Sequence, residues 1–101
     1  MKLQWTEPAV ADLEAIRDFI ARDSEQYAAQ FVERVLDLAD RFIESPMRGR
    51  TVPEAGRSDI REIILGQYRV MYRVEPERVL VLAVIHGARD LGRQSKHPWE
   101  G

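Results

Sequence analysis

Ile60-Arg61-Glu62-Ile63-Ile64-Leu65-Gly66-Gln67-Tyr68-Arg69-Val70-Met71-Tyr72-Arg73-Val74 and, after Glu75-Pro76-Glu77-Arg78, the run Val79-Leu80-Val81-Leu82-Ala83-Val84-Ile85-His86 decide the fold. Ile60–Leu65 is strand-like, and Gly66-Gln67 fits a type II′ turn with glycine first. Tyr68–Val74 alternates: Tyr68, Val70, Tyr72 and Val74 share one face, while Arg69, Met71 and Arg73 share the other. Val79–Ile85 is apolar without a break, the pattern of a central strand covered on both faces. Three strands joined by two short turns predict an antiparallel meander. The polar group His86-Gly87-Ala88-Arg89-Asp90-Leu91 then stands at the edge of a buried core, where side chains are held rigidly.

Upstream of this meander the period changes. Lys2-Leu3-Gln4-Trp5 alternates as a short strand with Leu3 and Trp5 inward. Thr6 or Glu7 can cap a helix, and Pro8 fits its first turn, where a missing N–H costs nothing. Ala9, Leu13, Ile16 and Ile20 follow at helical spacing, with Phe19 widening the stripe. Ser24 is a cap for a second helix, whose stripe runs through Ala28, Phe31, Val35, Leu38 and Phe42, with Leu36, Ala39 and Ile43 beside it. Ser45-Pro46 ends it. The short link at Arg22-Asp23-Ser24 makes the two helices antiparallel. Met47–Arg57, broken by Gly49, Pro53 and Gly56, reads as irregular.

The expected architecture is therefore α+β in the order β-α-α-β-β-β, one domain over residues 1–101. It comprises an N-terminal strand, an antiparallel helical hairpin over about 8–44, a three-stranded antiparallel meander over about 59–87 and a short tail at 92–101. The hairpin covers one sheet face. The other face is expected half open, with its arginines looking outward.

The chain has 101 residues, no cysteine and net charge −2. Its length supports a core without disulfide or metal. Absent cysteine fits a reducing cytoplasm, and neither a leader-like apolar segment at Met1–Pro8 nor a span-length apolar run is present, so a cytoplasmic location is expected. The small net charge hides a division: residues 7–44 hold ten acids and four arginines, whereas residues 48–73 hold six arginines and three acids. Thirteen of the fifteen basic residues are arginine, the side chain that pairs fork-like with carboxylate or phosphate. A solvated arginine surface and a functional patch both fit this pattern.

The order of elements, with Trp5-Thr6, Ala11-Asp12-Leu13, Gly49-Arg50, Ile60-Arg61-Glu62, Tyr68-Arg69-Val70, Tyr72-Arg73-Val74 and His86-Gly87-Ala88-Arg89-Asp90, resembles the RelE/ParE superfamily of type II toxin–antitoxin toxins over nearly the whole chain. The resemblance implies a cytoplasmic toxin of the kind involved in plasmid stabilisation and growth arrest, neutralised by a cognate antitoxin in a hetero-oligomer. The superfamily has two branches. RelE-like members cut mRNA in the ribosomal A site; ParE-like members are not nucleases, and those with known targets poison DNA gyrase by binding it. The Arg-Asp after His86, the long hairpin and the low charge resemble the ParE-like branch. A pI near 5.7 also suits poorly a protein that must sit among RNA phosphates, so specific nucleic-acid binding by the toxin alone is not expected. A degenerate, non-toxic module that still binds antitoxin is a third alternative.

Were the chain a ribonuclease, Arg61 and Arg73 would supply cations (Arg69 being a further candidate) and His86 the acid, with Glu62 a possible base of opposite strand parity to Arg61. The RelE-like lysine pair has no match, because the lysines are Lys2 and Lys96. The favoured readings are structural: His86 as a strand-end brace, Arg61 as a partner of Glu62, Asp59 or Asp90, and Tyr68 and Tyr72 as core. Expected antitoxin contacts are a hairpin groove with Leu13, Phe19, Phe31 and Val35 beside Ala9, and the arginines Arg61, Arg69 and Arg73 for an acidic segment. Expected target contacts are Arg89, Arg93 and Trp99, since the C-terminal portion is implicated in gyrase-directed members. Neither metal nor cofactor is expected: His86 and His97 stand apart, and no phosphate-cradling glycine loop occurs.

Overall fold

A computed structural model describes residues 1–89, 91 and 96–100. The elements run β1 (Lys2–Trp5), α1 (Glu7–Ala21), α2 (Glu25–Glu44), a 3₁₀ turn (Pro46–Arg48), β2 (Arg50–Thr51), β3 (Ile60–Leu65), β4 (Tyr68–Val74) and β5 (Arg78–His86). Thr6 caps α1, its hydroxyl accepting the Ala9 N–H, and Ser24 caps α2 by accepting the Tyr27 N–H. Gly66 has φ +58°, and Gln67 does not adopt a positive φ, as a type II′ turn requires.

The α+β order holds, but the sheet has five strands in the order β1-β5-β4-β3-β2. β1 joins it parallel to β5, and Arg50–Thr51, expected to be irregular, adds a two-residue edge strand to β3. A two-residue strand carries no periodicity, so no local pattern announces it.

β5 is covered on both faces along Val79–Ile85. On the helix side lie Val79, Val81 and Val84, packed with Val70, Tyr72, Phe42, Ala39 and Ala9. On the outer side lie Leu80, Leu82, Ala83 and Ile85 with Met71 and Ile60. The alternation slips at Leu82 because β4 pairs Tyr72 with Val81 and Met71 with Ala83, leaving Leu82 as the extra residue of a bulge. A bulge re-aims backbone groups that need partners. α1 supplies them: the Thr6 hydroxyl is shared between the Val81 and Leu82 carbonyls at 3.1 and 3.3 Å, and Asp12 Oδ2 accepts the Val84 N–H at 3.1 Å.

The outer face is not open. Val52, Leu91 and Trp99 close over Met71, Leu80 and Leu82, with Ala55 at the margin. The expectation of outward-looking arginines is thereby corrected: outer-facing Met71 and β5's outer residues are too apolar to face water, and Val52, Leu91 and Trp99 cover them.

The link after α2 is fixed by Tyr72. Its hydroxyl donates to the Pro46 carbonyl at 2.7 Å and accepts the Gly49 N–H at 3.0 Å, while its ring stacks on Phe42. A Cβ at Gly49 would press on Tyr72 Oη and lie 2.8 Å from the Glu62 carbonyl. Gly49→Ala is therefore expected to destabilise by about 1–3 kcal/mol through overpacking. Tyr72→Phe, which strands the Gly49 N–H and Pro46 carbonyl, should cost about 1–3 kcal/mol. Urea denaturation of both variants measures this, and unchanged midpoints would disprove the anchoring role.

Candidate functional site

The outer face carries a buried ion network in place of an arginine display. β3 and β4 place Glu62 beside Met71 and Ile64 beside Arg69, so Glu62 and Arg69 rise on the same face one step apart. Glu62 has no exposed side-chain surface and accepts from Arg50 Nε and Arg69 Nε, each at 2.6 Å. Arg69, 7% exposed, forks onto both oxygens of Glu54 at 2.9 and 3.0 Å. The Arg69 guanidinium holds the Glu54 carboxyl down at about 2, and Arg69 is itself raised by that pairing. Arg73 and Arg78 close on Glu75, whose carboxyl is lowered by the hydrogen bonds from Arg78 and Arg73.

Arg61 points the other way. It lies opposite Tyr72, on the helix side of β3, with Nε donating to the Ser58 carbonyl and Nη1 to those of Met47 and Gly49. It ties down the 3₁₀ turn, and none of the expected carboxylate partners Glu62 and Asp59 holds it; Asp90 lies outside the described residues.

His86 ends β5 opposite Tyr68. The Ala88 N–H donates to its Nδ1 at 3.0 Å, which leaves Nε2 to donate to Gln67 Oε1 at 3.2 Å. Tyr68 meets the ring edge-on, and Phe31 leans on Tyr68 at 5.0 Å. His86 is thus a brace across the hairpin end. Tyr68 and Arg73 stand at opposite ends of β4, five residues or about 17 Å apart. The three residues assigned to ribonuclease chemistry, Arg61, Arg73 and His86, do not surround one point: two lie on opposite faces and the third at the far end.

The expected hairpin groove is closed at Ala9 and Val35. Both are sealed in the core, with no exposed surface. Leu13 and Phe31 are half-buried, and Phe19 is 63% exposed. Phe19 borders a shallow groove of about 320 Å³ with Ala15, Ile16, Tyr68 and Val84, between α1 and the sheet.

Of the expected target contacts, Arg89 is exposed and engaged with a partner, and Arg93 lies outside the described residues. Trp99 is buried in the outer core and stacks on His97 at 4.6 Å. His97 is raised by its hydrogen bond to Glu100 and is also bonded to the Leu91 carbonyl, both at 2.8 Å. Among the described residues no cluster of three or more metal-ligating side chains occurs, and no helix is long and apolar enough to cross a membrane. Sequence reading missed the Asp12 clamp and the Glu54–Arg69–Glu62–Arg50 network. The parity of Glu62 and Arg69 was visible; the arrival of Glu54 from a loop was not.

Two antiparallel helices on one face of a bulged, mixed five-stranded sheet define a small α+β fold. Residues 3–91 match the sequence family described as the ParE toxin of type II toxin–antitoxin system, parDE, and the chain belongs to that family. It is 35% identical over 86 residues to Toxin RelE2 of Caulobacter vibrioides, covering 84% of this chain and 93% of that protein. Among solved structures, the chromosomal ParDE system of P. aeruginosa aligns at TM-score 0.70 with 22% identity, over 85% of this chain and 95% of the other. The RelBE2 toxin–antitoxin complex of Mycobacterium tuberculosis aligns at 0.55 with 24% identity, over 84% and 95%. These two likenesses support the fold.

Removing Arg69 leaves Glu62 buried with half its pairing, so Arg69→Ala should cost about 3–5 kcal/mol. Adding Glu62→Leu should cost less than the sum of the two single changes, a coupling read from urea titrations of the cycle. Glu54 adds a pH dependence. Its folded pKa of about 2 lies below the usual 4.5, so its contribution is complete above about pH 4.5 and is lost as pH falls through about 2. With a partly exposed side chain that contribution is on the order of 1–2 kcal/mol, and Glu54→Gln should abolish this part of the acid response.

Proposed function

We propose that this toxin of a type II toxin–antitoxin module acts without catalysis, by binding and poisoning a cellular target, DNA gyrase, and that a cognate antitoxin neutralises it. The observation that carries the reading is the dispersal of Arg61, Arg73 and His86. Cleavage by 2′-OH attack needs a base, a cation and an acid around one phosphate, and these side chains are held apart by backbone carbonyls, Glu75 and Gln67. The match to the ParE description supports the gyrase-directed branch, and the toxin–antitoxin systems among the fold neighbours support an antitoxin partner.

A second reading has one specific support: the Caulobacter relative bears the name RelE2, which favours ribosome-dependent mRNA cleavage. The discriminating experiment adds purified protein to gyrase with supercoiled plasmid and, in parallel, to ribosomes programmed with a defined mRNA. Protein-linked double-strand breaks that require gyrase are expected, with intact mRNA. Ribosome-dependent cuts in the absence of gyrase breaks would replace the proposal with the RelE-like reading.

A further inference from the structure

Near its C-terminus the chain closes on itself. In the turn His97-Pro98-Trp99-Glu100 the Glu100 N–H donates to the His97 carbonyl at 3.1 Å, and proline takes the second position, where its fixed φ suits the bend. The turn sets the His97 and Glu100 side chains against each other and places Trp99 in the outer core, 7% exposed. Leu91, 1% exposed, packs in the same cluster with Met71, Leu80 and Leu82.

His97 joins these two covers. Its Nδ1 meets Glu100 Oε1 and its Nε2 meets the Leu91 carbonyl, each at 2.8 Å. Both partners are acceptors. A backbone carbonyl carries no proton, and the Glu100 carboxyl is lowered by its bond to His97, so it is ionised near neutrality. Two contacts to acceptors need two ring N–H groups, and only the imidazolium has both. A neutral ring keeps one N–H and turns a lone pair toward the other oxygen. The ring also lies flat on the Trp99 indole, with 3° between the planes and 4.6 Å between centroids, where a ring cation is drawn to the indole face. One proton thus holds Leu91 through its carbonyl and Trp99 through its ring.

The surrounding charges favour that proton. Glu100 acts first, through its hydrogen bond, and Glu54 adds a weaker pull because Arg69 already forks onto it. Lys96, Arg73 and Arg89 border the same cavity as His97 and oppose the charged ring, while Asp12 on that wall supports it. The balance leaves His97 raised. The cavity, about 510 Å³, lies between α1 and the turn over Leu80, Leu82, Ala83 and Ile85. The turn is therefore undercut on one side, resting on the outer core through Trp99.

We propose that His97-Pro98-Trp99-Glu100 is a proton-dependent clasp on the outer face of the sheet. It is closed while His97 carries two ring protons and releases when one leaves, baring Trp99, Leu91 and the apolar strand residues beneath. Local opening of this kind leaves the helical hairpin packed. Linkage sets the direction. The folded chain holds the His97 proton more tightly than the unfolded one, in which the ring titrates near 6.5. The clasp therefore contributes fully below about pH 6.5 and is lost as pH rises through the raised folded value. It stands apart from the choice of cellular target.

The test follows Trp99 directly. Trp5→Phe leaves it the one tryptophan, and its quenching by acrylamide is read from about pH 5.5 to about pH 8.5. The quenching constant should rise at least about twofold across a single titration step. Glu100→Gln, which removes the carboxylate that raises His97, should move the midpoint to lower pH. His97→Gln should abolish the step, because an amide does not titrate, whereas His86→Gln should leave the midpoint in place. Nitrogen-15 spectra of the histidine rings in the unmodified chain give an independent reading that does not rely on the Trp5 variant: at about pH 6, His97 should show two protonated nitrogens. Quenching that stays flat, a step that follows His86, a midpoint indifferent to Glu100→Gln, or a neutral His97 ring at that pH each overturns the proposal.

Discussion

β5 cannot meet water on either face. Seven consecutive apolar residues in an extended strand must be covered from both sides, and most of the molecule follows from meeting that demand. The helical hairpin takes one side. Val52, Leu91 and Trp99 take the other, with Ala55 at the margin. The bulge at Leu82 lets β5 re-phase its side chains between the two cores, and it holds because Thr6 and Asp12 of α1 receive the displaced backbone groups. Burial pushes the Asp12 carboxyl up even as the Val84 N–H opposes the shift, which fits a side chain placed there for geometry.

Covering the outer face has an electrostatic consequence. Arg69 lies on this covered face with 7% of its side chain exposed, so its charge must be answered inside the fold. Glu62 and Glu54 answer it, and Arg50 completes the balance from the rim. The cations on β4 are therefore structural. Packing leaves two shallow clefts at the surface, one beside α1 around Phe19 and one beside α2 at Arg41 and Arg48. Family membership settles that this is a toxin of the parDE type, while the choice of target depends on chemistry that can be assayed directly.

Much of the site was legible residue by residue and little of it in combination. The parity of Tyr68, Val70 and Tyr72 placed them on the helix side, and both helix caps were readable from Thr6 and Ser24. Opposite parity alone puts Glu62 and Arg61 on different faces of β3. The pairing of Arg69 with Glu54, fifteen residues away through an irregular loop, left no trace in spacing. The seven-residue recurrence of Arg34, Arg41 and Arg48 was present in the sequence, but the cleft that Arg41 and Arg48 border with Ile63 of β3 was not.

The sequence by itself determined the elements, their order and the apolar face of each, because those depend on periodicity, capping and turn chemistry among near neighbours. It also determined the family. Only the tertiary structure decided which arginines are neutralised and which remain available. A guanidinium's partner is set by whichever carboxylate or carbonyl the chain brings within hydrogen-bond reach, and that proximity is a property of the packed fold.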